Sequence, residues 1–321
     1  MAQDFTAYRH NGCLIEETPS AAPTLQLASS GSLPERVDLR AMCSPVENQG
    51  HVGSCTANAT VGALEYHLKL AREPLTDLSR LYVYYNARRM AGKEAEDCGS
   101  FISHVMASVM AFGACPENMW PYVEAMWPSR PTEDCYTAGG NFTGVSYARV
   151  GRGPGMKVAL ASGLPVVFGI SLPDEMLMRE GAQTGRIQRP RGQFPPYGSG
   201  GHAMLVVGYD DAMESWLVRN SWGEGYGEGG YVWIDYQVME AYSHPHEFWT
   251  IGAIEGKPGL KMLGPSIQQT VQHVQQEAPA QVVSALSQIR SALSRDLNQS
   301  LEEKRQSLRD RLRGPGAGGG Y

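Results

Sequence analysis

Apolar residues recur every three or four positions in the first half of the chain. In much of the second half they alternate or form unbroken β-branched runs. Val61, Leu64 and Leu68 predict a helix over residues 56–71, stopped by Arg72-Glu73-Pro74. Leu81, Tyr82 and Tyr85 share the stripe of a second helix that Asp77 or Ser79 caps and that runs to Met90. A third helix, residues 101–112, ends at Gly113. Residues 94–100 read as a loop, 116–122 as a turn over packed aromatics, and the stretch to 140 as loop and crossover. A short helix over 156–162 stops at Gly163. Strands follow at 165–172, 202–210, 215–220, 230–235 and 248–254, with a Gly-, Pro- and Arg-rich loop over 173–201. Helices first and consecutive strands afterwards predict an α+β protein. Beyond Gly256 aromatics thin out. Val282, Leu286, Ile289, Leu293, Leu297 and Leu301 then mark an amphipathic helix over about 280–313, before a Gly-rich end.

The chain has 321 residues, 42% of them hydrophobic and 19% charged, which is ordinary globular material. A net charge of −6 lacks the basic footprint of a general nucleic-acid binder. No apolar run approaches the ~18 residues of a membrane span. Met1–Thr6 carries neither a positive patch nor an apolar core, so the expectation is a cytoplasmic protein or one exported by a non-Sec route. Six cysteines are present: Cys13, Cys43, Cys55, Cys98, Cys115 and Cys135. If one is a free nucleophile, the other five cannot all pair, and without a leader reduced thiols are favoured.

Chemistry gathers in three places. Gln49-Gly50-His51-Val52-Gly53-Ser54-Cys55-Thr56-Ala57 delivers a cysteine to the start of the first helix. Unpaired N–H groups and the positive end of the helix dipole favour a thiolate there. Gln49 is an uncharged donor suited to an oxyanion. His202 opens the run Ala203-Met204-Leu205-Val206-Val207, and the next strand ends in Asn220-Ser221-Trp222-Gly223. Cysteine, histidine and asparagine in that order supply a nucleophile, a base and an amide that orients the base. His244 and His246 flank Pro245 with no third ligand near them in sequence, so they read as a solvated turn and no metal site is expected. His104, among apolar neighbours, reads as a packed or surface residue.

These stretches, with the interval of roughly 150 residues between cysteine and histidine, resemble the papain-like cysteine peptidases. The chain looks closer to divergent microbial members than to lysosomal cathepsins. It departs from the family signature at Val52, where the signature has a cysteine, so the familiar disulfide there cannot form; Thr56 replaces an aromatic. The resemblance implies a two-lobe fold with the active site in the cleft between the lobes. One lobe is mainly helical (about 33–140) and the other an antiparallel sheet or barrel (about 141–256), together a catalytic domain over 33–256. Residues 1–32 are then an extension, short for a prodomain but placed to block the cleft, and 257–321 a linker and tail helix whose stripe permits self- or partner association.

By the same resemblance Cys55, His202 and Asn220 are catalytic and Gln49 completes an oxyanion hole. Gly99, Gly200, Gly201 and Trp222 border the substrate, a polypeptide. No metal or organic cofactor is needed. The expected activity is endopeptidase hydrolysis through a Cys55 acyl-enzyme. The alternatives are a transpeptidase or isopeptidase using the same acyl-enzyme, and a non-catalytic scaffold that binds through the cleft.

Overall fold

The helix-then-strand order resolves into a large sheet with helices packed on both of its faces. The computed structural model describes residues 8, 10–18, 20, 22, 24–25, 32–71, 77–140, 144–254 and 306. The tail helix expected over 280–313 lies outside them, apart from Gln306. In chain order the main elements are β1 (Cys13–Leu14), β2 (Arg36–Asp38), α1 (Cys55–Leu70), α2 (Arg80–Arg89), β3 (Ser100–Phe101), α3 (Ile102–Phe112) and α4 (Glu133–Gly139). Then come β4 (Gly144–Arg149), α5 (Pro154–Ala161), β5 (Val166–Ile170), α6 (Ala182–Thr184), β6 (Arg186–Ile187), β7 (His202–Asp210), β8 (Ser215–Arg219), β9 (Tyr231–Asp235), α7 (Tyr236–Tyr242) and β10 (Ser243–Ile254).

The eight-stranded sheet runs β4-β10-β5-β7-β8-β9-β6, with β2 also on β7. All its pairs are antiparallel except β6 with β9. Its central strand β7 is buried on both faces, which explains its unbroken apolar run. Ala203, Leu205 and Val207 lie on the α1 side, in one core with Val61 and Leu64 of α1, Tyr82 of α2 and Val105 of α3. Met204 and Val206 face the other way, with Phe168, Val218, Met156 of α5 and Tyr242 of α7. Helical lobe and sheet lobe therefore share β7, and its first residue is His202.

Local chemistry explains the helix boundaries. Ser79, not Asp77, caps α2, its Oγ accepting the Tyr82 N–H at 3.1 Å. Gly113, at φ +69°, ends α3 in a conformation that other residues avoid. Pro154 opens α5 two residues earlier than periodicity indicates, because its ring already holds a helical φ.

Three expectations need correction. The loop over 173–201 is partly ordered: Glu175–Gly181 forms a π-helical turn that runs into α6, and β6 follows. Burial of Met176, Leu177 and Met178 supplies the reason. The stretch before residue 140 contains α4, whose Glu133 and Asp134 sit at the favourable N-terminal end. His244-Pro245-His246 is not a turn but lies near the start of β10, within a register shift between Ser243 and Phe248, and His244 Nε2 lies 2.9 Å from Ser171 Oγ.

Candidate active site

Cys55 is the first residue of α1, with Ser54 as the flanking N-cap in a non-helical conformation. Ser54 spends no side-chain bond on the cap; its Oγ pairs with the Tyr122 hydroxyl at 2.6 Å. That hydroxyl also donates to the Gln49 carbonyl at 2.8 Å. Tyr122, read from the sequence as packing only, thus anchors both ends of the turn that leads into the cysteine. Gln49 is buried. Its Nε2 donates to the Val52 carbonyl at 3.0 Å, and its Oε1 accepts from Ser221 Oγ at 2.6 Å.

The imidazole stands at the head of β7. His202 Nε2 lies 2.8 Å from Asn220 Oδ1. The same oxygen accepts the Ser221 backbone N–H at 2.8 Å, which fixes which end of the amide is the acceptor. Nε2 therefore carries the ring proton and Nδ1 is the basic nitrogen. Nδ1 is buried without a hydrogen-bond partner. The Trp222 ring lies 5.1 Å from the imidazole and, fully buried, shields the His202–Asn220 bond from water. Ser221, passed over in the sequence, ties Gln49 to Asn220 through its hydroxyl and its N–H.

The N-terminus of α1, which carries Cys55, packs against β7, which opens on His202, and the N–H of the next residue, Ala203, reaches the Cys55 sulfur. Burial raises the Cys55 thiol to about 11, partly opposed by the backbone N–H groups of Ala203, Thr56, Cys55 itself and Gly12. Burial likewise drives His202 down to about 4, against its bond to Asn220. In this arrangement both groups are neutral across the physiological range.

The burial comes from the chain's own N-terminal segment. β1 pairs with β3 in parallel, Cys13 opposite Ser100. The Gly12 carbonyl accepts the Ser100 N–H at 3.0 Å, and the Cys13 N–H donates to the Gly201 carbonyl at 2.9 Å. Residues 10–16 thus form a strap between the two lobes. Glycines make this fit possible. A Cβ on Gly12 would stand 2.4 Å from the Gly53 carbonyl oxygen, and one on Gly99 2.4 Å from the Gly12 carbonyl oxygen. One on Gly200 would strike Asn11, and one on Gly201 the Cys13 carbonyl oxygen. Tyr8 packs 5.7 Å from Trp222 and accepts from Asn48 Nδ2. At the far end, Glu16 N–H donates to Glu247 Oε1 at 3.0 Å, and Ser103 Oγ donates to the Glu16 carboxylate. Of the four residues expected at the substrate, Gly99, Gly200 and Gly201 therefore touch this strap, and Trp222 touches Tyr8 just ahead of it.

All six cysteines are free thiols. Among the described residues no cluster of three His, Cys, Asp or Glu is arranged to hold a metal, and no helix is long and apolar enough to cross a membrane.

A two-lobe α+β fold, with cysteine, imidazole and carboxamide at the junction of the lobes, defines the class of thiol peptidases. Residues 33–247 match the sequence profile described as "Papain family cysteine protease", and the chain belongs to that family. It is similar to an uncharacterized peptidase C1-like protein of Acanthamoeba polyphaga mimivirus, 30% identical over 214 residues that make up 64% of this chain and 68% of the viral one. Peptidase 1 of Dermatophagoides pteronyssinus is 28% identical over 70% of this chain and 69% of its own. Among solved structures, the cysteine protease xylellain from Xylella fastidiosa is 31% identical. It superposes with a TM-score of 0.68 over 77% of this chain and 96% of the other. The protein is a cysteine peptidase that acts on polypeptides.

Proposed function

We propose that the chain is an endopeptidase with Cys55 as nucleophile, His202 as acid and base and Asn220 as orienter, and that the strap of residues 10–16 holds it closed. The observation that carries this reading is the His202–Asn220 hydrogen bond, which leaves Nδ1 as the basic nitrogen at the strand head whose next N–H reaches the Cys55 sulfur.

Once the strap leaves, water and the helix N-terminus favour the thiolate, and His202 holds the proton. Sulfur attacks the peptide carbonyl, and a C–S bond forms. The oxyanion is received by Gln49 and the Cys55 N–H. His202 gives its proton to the departing amine as the C–N bond breaks. Water then attacks the thioester, His202 takes its proton, and the acid leaves as the sulfur regains its charge. Asn220 orients the ring without adding a charge, so the ion pair stays between sulfur and imidazole. Gly99, Gly200, Gly201 and Trp222 line the path the peptide takes over from the strap.

The test is labelling of Cys55 by an epoxide thiol inhibitor, mapped by mass spectrometry in the full chain and in Gly12→Val. Slow labelling in the parent, stoichiometric labelling in Gly12→Val and loss of labelling on adding His202→Ala are expected. No labelling of Cys55 in Gly12→Val supports a binding scaffold instead. Adding an amine acceptor separates hydrolysis from transpeptidation, which would give aminolysis product in place of acid.

Gln49→Ala in the Gly12→Val chain should lower kcat by roughly 10²–10³, the cost of one oxyanion donor, with KM little changed. Steady-state kinetics on a fluorogenic peptide read both constants.

A further inference from the structure

Val52 removes the cysteine that would cross-link the turn ahead of the nucleophile, and no disulfide replaces it. A carboxylate spans the gap. Asp97 Oδ1 accepts the Gly53 N–H at 3.1 Å, and Oδ2 lies 3.4 Å from the same nitrogen. The Tyr84 hydroxyl donates to Asp97 Oδ1 at 2.5 Å and accepts the Gly99 N–H at 3.0 Å. Tyr84 is held in turn by the Arg88 guanidinium, 4.0 Å over its ring. Arg88 also donates to the carbonyls of Glu94 and Glu96 and so pins the loop that carries Asp97.

The two backbone groups joined in this way belong to Gly53 and Gly99, the two glycines that clasp Gly12 above Cys55. From this juxtaposition we infer that Asp97, through Tyr84, is a positioning residue that sets the spacing of Gly53 and Gly99 and so grips an extended backbone in register with the sulfur. The grip acts on the strap when the cleft is closed. On the reading under Proposed function, it acts on substrate when the cleft is open. Asp97 itself touches neither the reacting atoms nor His202.

Two arms test this. In the parent chain, Asp97→Ala should loosen the strap and speed iodoacetamide modification of Cys55 by about tenfold or more, the scale of one charge-assisted hydrogen bond. Asp97→Asn, which keeps an acceptor for Gly53, should stay within about threefold of the parent on the same scale. Tyr84→Phe, which keeps the ring under Arg88, should follow Asp97→Ala; it covers the case in which Asp97→Ala fails to fold. In the Gly12→Val chain, Asp97→Ala should lower kcat/KM for a peptide roughly tenfold to a hundredfold. Alkylation by the small reagent and the pH limbs of the profile should not move there. Parent-like alkylation in both Asp97→Ala and Tyr84→Phe overturns the grip, whatever the peptidase assay gives. So does alkylation that falls in step with peptide turnover. A Gly12→Val chain with no peptidase activity, but faster alkylation when Asp97→Ala is made in the parent, overturns the peptidase reading and upholds the grip.

Discussion

Gly12→Val in the full-length chain is expected to raise peptidase activity by about 10–100-fold. The new Cβ would stand 2.4 Å from the Gly53 carbonyl oxygen, and that oxygen belongs to the backbone leading into α1. It cannot rotate aside as a side chain would. Forcing a group into such a contact costs about 1–3 kcal/mol, or roughly 5–150-fold in the docking equilibrium. Initial rates on a fluorogenic peptide, taken before any cleavage of the segment, measure the effect. An unchanged rate in a folded variant would show that the strap does not limit access. The pH response carries a sign of its own. With the strap docked, the thiol near 11 and the imidazole near 4 leave both groups neutral between those values. Release restores water and lets the helix N-terminus stabilise the thiolate, so the thiol pKa falls. Alkylation of Cys55 at pH 6 should therefore be faster in Gly12→Val than in the parent, and the gap should narrow as the pH rises through 11.

His202→Ala in the Gly12→Val chain should cost roughly 10⁴-fold in kcat/KM, the upper end for losing a positioned acid and base. The loss has a second signature. Without the imidazolium, Cys55 ionises nearer the ordinary thiol value of about 8.5, so the alkylation profile shifts to alkaline pH while the sulfur stays reactive there. A histidine that served only packing would leave that profile in place. Asn220→Ala should give a milder fall, because the ring keeps its chemistry and loses its orientation.

The parts of the site that depend on local chain chemistry could be read in advance. Cys55 after a glycine turn, His202 at the head of an apolar run and Asn220 at a strand end each carry a local pattern, and all three lie at the lobe junction. Strand bounds for β7 follow from its continuous apolar run, since a central strand buried on both faces is mostly apolar between its polar ends, His202 and Asp210. Residues 173–201 were less legible. Their Gly and Pro content signals a loop, yet Met176, Leu177 and Met178 find a core that only the tertiary fold provides. Asp97 and Tyr84 could not be foreseen as partners of Gly53 and Gly99. Their bonds run between segments distant in sequence and use backbone N–H groups, which leave no mark on composition. The strap was legible as a position in the chain but not as a fit, since the fit rests on backbone shape at Gly12, Gly99, Gly200 and Gly201.

The strap is covalently joined to the domain it closes, and β1 takes its place in a ladder with β3 and Gly201. On the reading proposed above the strap is a tethered competitor of substrate, and such a competitor does not dilute. Its local concentration stays in the millimolar range set by the linker, however little enzyme is present. Substrates then meet an inflated apparent KM rather than a lowered ceiling, and the fraction of open enzyme is independent of dose. Cutting the linker would turn this fixed competitor into a free peptide that dialysis removes, converting a reversible brake into a one-way commitment.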